Sequence, residues 1–212
     1  RFRAVARGTD STYQGEIRPV NRLYSFLVIL LTPFVRLVYP YRLKGRAALP
    51  DGGAIICANH SSNMDPVILA IIFGPRNYMT FMAKIELFRI PVLGWLIKKL
   101  GAIPVDRESS DIEALRRSIN VLKEGHKLML FPEGTRVSED DAVAAKTGAV
   151  RLASRHNVPI VPVFISRDKR PFRRYDVCIG EPIVLGKLKH ADYPAASEHL
   201  MERIAAMNPE KL

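Results

Sequence analysis

Short apolar runs alternate with helix-like stretches along most of this chain, and that alternation limits its fold more than any other feature. Ala54 to Asn59, Tyr78 to Ala83, Ala102 to Val105, Lys127 to Phe131, Ile160 to Ile165 and Val177 to Ile179 have strand length and composition. Between them, Ser110 to Glu124 carries Ile112, Leu115, Ile119 and Leu122 at helical spacing, with Ser109 or Ser110 as a cap candidate and Gly125 as the stop. Pro66 to Phe73 reads as a helix with Asp65 at its N-cap and Pro66 at its first position; Ala142 to His156 and Ala195 to Met207 complete the helical set. Strands alternating with helices predict an α/β fold, a central mixed and largely parallel sheet flanked by helices. A chain of 212 residues needs one such domain, assigned to residues 42–212.

Residues 1–41 read differently. Arg1 to Val20 is polar and mixed, starts without Met and carries no structural pattern, which leaves room for residues upstream. Leu23 to Val35 is apolar, broken by Pro33, bounded by Arg22 and Arg36, with Tyr24, Tyr39 and Tyr41 nearby. It falls short of the roughly 20 apolar residues a membrane span needs, and its flanks suit a helix lying in the membrane interface. A buried first helix is the other reading. No small-residue cleavage pattern follows, so no signal peptide is expected. Leu87 to Leu100 is also more apolar than one helix face requires and ends in Lys98-Lys99; membrane facing and core packing explain it equally well.

The net charge of +11 favours phosphates, anionic lipid surfaces or acidic partners. Arg167, Lys169, Arg170, Arg173 and Arg174 form a basic cluster, but only Phe172 and Tyr175 interleave with it and no nucleic-acid motif accompanies it, so no nucleic-acid partner is expected. Cys57 and Cys178 lack the spacing of a zinc site or disulfide framework, and Cys57 lies in an apolar run where a buried small hydrophobe is the simpler reading. The five histidines form no ready metal-ligand set, so no metal is expected. Gly180 to Lys187 departs from a nucleotide-binding loop in spacing and reads as loop and strand.

Asn59-His60-Ser61-Ser62-Asn63-Met64-Asp65 joins a predicted strand to a predicted helix, where α/β folds place their sites. A carboxylate bonded to one imidazole nitrogen leaves the other free to take a proton from a hydroxyl. By itself this spacing fits a capping aspartate and a loop histidine equally well. No G-x-S-x-G elbow displays a serine nucleophile, which leaves the substrate's own hydroxyl for that role. Lys127 to Arg136 then reads as a strand ending in a Pro-Glu-Gly-Thr-Arg turn. Gly134 there permits close backbone approach to a ligand, and Arg136 offers a planar fork of donors suited to phosphate.

Together, Asn59-His60 with Asp65 and Phe131-Pro132-Glu133-Gly134-Thr135-Arg136 resemble the glycerolipid acyltransferase family. Gly101-Ala102-Ile103-Pro104-Val105-Asp106-Arg107 and Val158-Pro159-Ile160-Val161-Pro162-Val163 resemble two further blocks of that family, in its order. The resemblance covers Arg42 to Pro182. It implies His60 as general base and Asp65 as its orienting partner, with Arg107, Glu133, Gly134, Thr135 and Arg136 holding the acceptor's phosphate and glycerol. Lys146 matches a lysine-glycine segment of the family. Val137 stands where serine often follows the arginine, and the acidic Ser138-Glu139-Asp140-Asp141 departs from the usual apolar or basic loop.

The implied reaction moves a fatty acyl group from a thioester donor, acyl-CoA or acyl carrier protein (acyl-ACP), to the free hydroxyl of 1-acylglycerol-3-phosphate, giving phosphatidic acid. No further cofactor is expected. Glycerol-3-phosphate, another lysophospholipid, or a lipid amine or sugar are alternative acceptors, and a catalytically lapsed basic membrane-binding module is the alternative outside enzymes. The expected setting is the cytoplasmic face of a membrane, held monotopically, with the lipid surface, the lysophospholipid acceptor and the donor as partners.

Overall fold

The predicted apolar runs pair into one sheet. In the computed structural model, which describes residues 3–4, 21–45, 49–106, 112–134 and 146–209, β3 (Ala54–Ala58) lies between β6 (Lys127–Leu130) and β7 (Ile160–Ile165), parallel to both. Beyond β6 come β4 (Met79–Lys84) and β5 (Ile103–Val105), also parallel. On the other side, β8 (Tyr175–Ile179) and β9 (Ile183–Val184) pair antiparallel with successive parts of β7. β2 (Tyr41–Lys44) runs parallel to β8, and β1 (Arg3–Ala4) pairs antiparallel with β9. The sheet is mixed and largely parallel, as the alternation of runs predicts.

Parallel central strands need cover on both faces, which explains their continuous apolar composition. Ile55, Cys57, Leu128, Leu130, Ile160 and Phe164 face one core with Leu122, Leu152, Leu200 and Ile204. These last come from α4 (Ile112–Lys123), α5 (Gly148–His156) and α6 (Tyr193–Ala206). Ile56, Ala58, Met129, Val161 and Val163 face the second core with α1 (Arg22–Val38) and α2 (Asp65–Phe73). The alternation of odd and even residues is the two-residue period of a pleated strand. Cys57 is fully buried, and burial pushes its thiol well above the usual range, so it packs as a hydrophobe.

Three elements differ from expectation. α1 continues through Pro33, held on α2 by buried Tyr24, Val28 and Val35, each contributing about 1.5–3 kcal/mol. That packing outweighs the one bond Pro33 denies to the carbonyl of Ile29, a residue on the exposed side. α4 turns Ala114, Ser118 and Leu122 to the sheet, leaving Ile112 and Leu115 exposed, because the small residues allow closer approach. α2 already includes Asp65, with Met64 at the cap position, so Asp65 does not cap the helix N–H groups as expected. Arg3–Ala4 of the predicted leader form β1, and the helix expected from Ala142 begins only at Gly148, with Lys146 and Thr147 before it; the rest of the leader, the Ser109 or Ser110 cap and residues 142–145 lie outside the described residues.

The stretch from 85 to 100 splits into a 3-10 turn (Ile85–Arg89) and α3 (Leu93–Lys99). Only Gly94 and Ile97 of α3 are buried; Ile90, Val92, Leu93 and Trp95 are exposed. Core packing therefore does not account for most of this apolar segment.

Candidate active site

Parallel pairing sends the C-terminal ends of β3, β6, β4, β5 and β7 to one edge of the sheet, the edge where open α/β sheets bind ligands. His60 follows β3, Glu133 and Gly134 follow β6, and Arg167 and Lys169 follow β7. Asn59 starts the site by splinting two of these ends. Its amide donates to the Ile165 carbonyl and accepts from the Ile165 N–H, both at 2.8 Å, while the residue itself is buried.

His60 Nδ1 lies 3.0 Å from Asp65 Oδ2. An ionised carboxylate only accepts, so Nδ1 carries the hydrogen and Nε2 presents a lone pair. Oδ2 also accepts the Ser61 and Ser62 N–H groups, each at 2.8 Å. The carboxylate thus folds back over its own loop. Lys169 brings its ammonium to 3.1 Å from Asp65 Oδ1, with its side chain only 3% exposed. That ammonium also donates to Ser61 Oγ and to the Ser166 carbonyl. Burial pushes Asp65 toward neutrality, but the His60 bond, the Lys169 charge and the Ser62 and Ser61 N–H groups outweigh it and hold the carboxyl below its usual range.

The imidazole stacks on Phe131, with ring centroids 4.1 Å apart and planes 21° from parallel. Its backbone is fixed from the opposite side, where the His60 N–H donates to Glu133 Oε2 at 2.8 Å. Glu133 Oε1 is paired with Arg167 at 3.0 Å, so both of its oxygens are engaged by the protein. Burial raises the Glu133 carboxyl above its usual range despite the His60 N–H and Arg167. Glu133 therefore ties the turn after β6 to the general-base candidate.

Gly134 has φ of +67°, and a Cβ there would lie 2.6 Å from Lys146 Cε. Lys146 also donates its N–H to the Pro132 carbonyl, so Gly134 and Lys146 do come together. Arg107, Thr135, Arg136 and the acidic stretch after Val137 lie outside the described residues. Asp106 precedes Arg107 at the end of β5, on the same edge of the sheet. Among the described residues, no three His, Cys, Asp or Glu side chains gather as a metal site would require.

Lys169 and Arg167 escaped the sequence reading as site residues and appeared there only as members of a basic cluster. Their carboxylate partners stand far away in sequence, so no local spacing announced them. The Ser166 to Lys169 segment directly following the proline-containing β7 was the available signal.

Residues 41–166 match the family model described as Acyltransferase. The chain is 35% identical over 193 residues to a 1-acyl-sn-glycerol-3-phosphate acyltransferase of Bacillus subtilis, covering 87% of this chain and 91% of that protein. A Streptococcus pneumoniae protein of the same name is 34% identical over 77% of this chain and 62% of its own length. A solved 1-acyl-sn-glycerophosphate acyltransferase from Thermotoga maritima superposes with a TM-score of 0.66 at 24% identity, over 85% of this chain and 78% of that one, which establishes the common fold. With the family match spanning the segments that carry His60, Asp65 and Glu133, this chain belongs to the acyltransferase family.

Proposed function

We infer that this protein transfers an acyl group from a thioester, acyl-CoA or acyl-ACP, to the free hydroxyl of 1-acylglycerol-3-phosphate and forms phosphatidic acid. One observation carries the direct-transfer chemistry. Ser61 Oγ is engaged by Lys169 and directed at the Arg167 carbonyl, while Ser62 Oγ accepts the Met64 N–H. Among the described residues, no hydroxyl is bonded to the His60 ring, which leaves Nε2 for the acceptor hydroxyl. The names of the similar proteins support this acceptor, and the chain's net charge of +11 suits its phosphate.

In this reading the acceptor hydroxyl attacks the thioester carbonyl while His60 Nε2 takes its proton. The C–O bond forms, the C–S bond breaks as the tetrahedral intermediate collapses, and the thiolate leaves with the proton returned by His60. Asp65 stays ionised and stabilises the imidazolium, with Lys169 balancing its second oxygen. Gly134 and Lys146 approach the acceptor's phosphate together with Arg107, Thr135 and Arg136, and no cofactor beyond the donor takes part.

The reaction takes place with the protein docked monotopically on the cytoplasmic face of a membrane. No described helix is long and apolar enough to cross one. Phe26, Ile29, Leu30, Phe34 and Leu37 instead form an exposed apolar face on α1, and Ile90, Val92 and Trp95 form another beside α3. Asn21 caps α1 and donates to the Lys99 carbonyl at the end of α3, so the start of one helix is tied to the end of the other.

Mass-spectrometric product analysis with both donors and a panel of acceptors tests this reading. Phosphatidic acid formed from 1-acylglycerol-3-phosphate is expected. Donor left unconsumed would favour a lapsed membrane-binding module, and product from glycerol-3-phosphate alone would transfer the assignment to that acceptor.

A further inference from the structure

The segment between β7 and β8 has two sides. Arg167 and Lys169 turn inward to Glu133 and Asp65. Asp168 and Arg170 turn the other way and, with Arg42, Ser166, Arg173, Arg174, Tyr175 and Asp176, line a cavity of about 310 Å³. Arg42 is paired with Asp176 and Arg170 with Asp168, both at 2.9 Å. Among the described residues Arg173 and Arg174 have no acidic partner, so the cavity retains excess positive charge.

At its rim stands Phe172, 72% exposed at φ of +63°, a region few residues other than glycine occupy. Its N–H donates to the Val38 carbonyl at the end of α1 at 2.6 Å, and the Tyr175 N–H donates to Pro40. These bonds tie the Phe172 and Tyr175 backbone to the C-terminal end of α1, the helix whose Phe34 and Leu37 are exposed. An apolar surface bordered by guanidiniums is the pattern of a protein edge resting at the level of lipid phosphates.

We propose that Arg42, Arg170, Arg173 and Arg174 bind the phosphate headgroup of an anionic membrane phospholipid while Phe172 enters the adjoining acyl layer. This site rests on the membrane-docked reading above and adds to it a lipid preference and a location, one segment away from His60. The lipid held there is a neighbour in the bilayer surface, distinct from the acceptor at the Asp65 side of the segment. The cavity accommodates a headgroup, while the acyl chains extend along Phe172 and α1.

Vesicle sedimentation with the full chain tests the proposal, using phosphatidylcholine alone and phosphatidylcholine mixed with phosphatidylglycerol. The wild type should prefer the mixed vesicles, and Arg173→Ala/Arg174→Ala should lose roughly 30-fold of that preference, as expected for two basic residues near the surface. Phe172→Ser should weaken binding to both vesicle types, and all variants should keep wild-type turnover of a short-chain acceptor dissolved as monomers. An unchanged preference in the double variant would overturn the site. A raised KM for acyl-CoA with vesicle preference intact would assign the arginines to the donor's phosphates and also overturn it. Wild-type protein that binds neither vesicle would refute membrane docking itself, a result distinct from failure of the site alone.

Discussion

The Lys169 ammonium lies 3.1 Å from Asp65 Oδ1, on the far side of the carboxylate from the His60 imidazole. Asp65 is thus shared between a base that must change protonation state and a cation that does not. Burial lowers the affinity of Lys169 for its proton, with Asp65 acting against that effect.

Lys169→Met should leave Asp65 Oδ1 buried without a counter-charge, a change that typically costs about 3–5 kcal/mol of stability. In the protein that remains folded, kcat should fall more than acceptor KM changes, because Asp65 loses the ammonium that holds its Oδ1 and with it the placement of the His60 bond. Lys169→Arg should recover part of both effects. Steady-state assays alongside urea unfolding separate this role from simple structural support, which would lower stability and leave the kcat of the folded fraction in place.

Asp65 also gives stability a pH dependence whose sign follows from its lowered carboxyl. Between the folded value and the unfolded one near 3.9, the unfolded chain binds more protons, so stability rises with pH across that window. Its contribution is complete above the unfolded value and lost as pH falls through the folded one. Glu133, raised by burial, acts in the opposite direction. Subtracting the Asp65→Asn curve from the wild-type urea-unfolding curve isolates the Asp65 component, which should diminish below about pH 4. Parallel curves would show that Asp65 is not held ionised by its surroundings.

Gly134→Ala should destabilise the turn after β6 by about 1–2 kcal/mol, because φ of +67° disfavours a side chain and the new methyl displaces Lys146. Since the adjacent Glu133 holds the His60 N–H, the shift should raise acceptor KM and lower kcat together. Thermal unfolding and steady-state kinetics on one preparation measure both.

Strands such as Ala54–Ala58 and Ile160–Ile165 were legible because their runs are apolar on both faces, the mark of a covered parallel sheet. Tyr41–Lys44 was not, since Arg42 and Lys44 interrupt it and only pairing with β8 makes it a strand. The His60 and Asp65 spacing was visible, but it also fitted a helix cap, and the choice between readings lay in where Asp65 turned its oxygens. Lys169 was hidden because burial of a lysine depends on a carboxylate 104 positions away, which no sequence window contains. The backbone bonds of Asn59 to Ile165 likewise arise only when β3 and β7 lie side by side.

The central claim is that His60 Nε2 takes the proton of the acceptor hydroxyl, and steady-state acyl transfer by purified His60→Ala tests it most directly. Turnover should fall by about 10²–10⁴-fold while vesicle binding is retained. Near-wild-type turnover by that variant would contradict it.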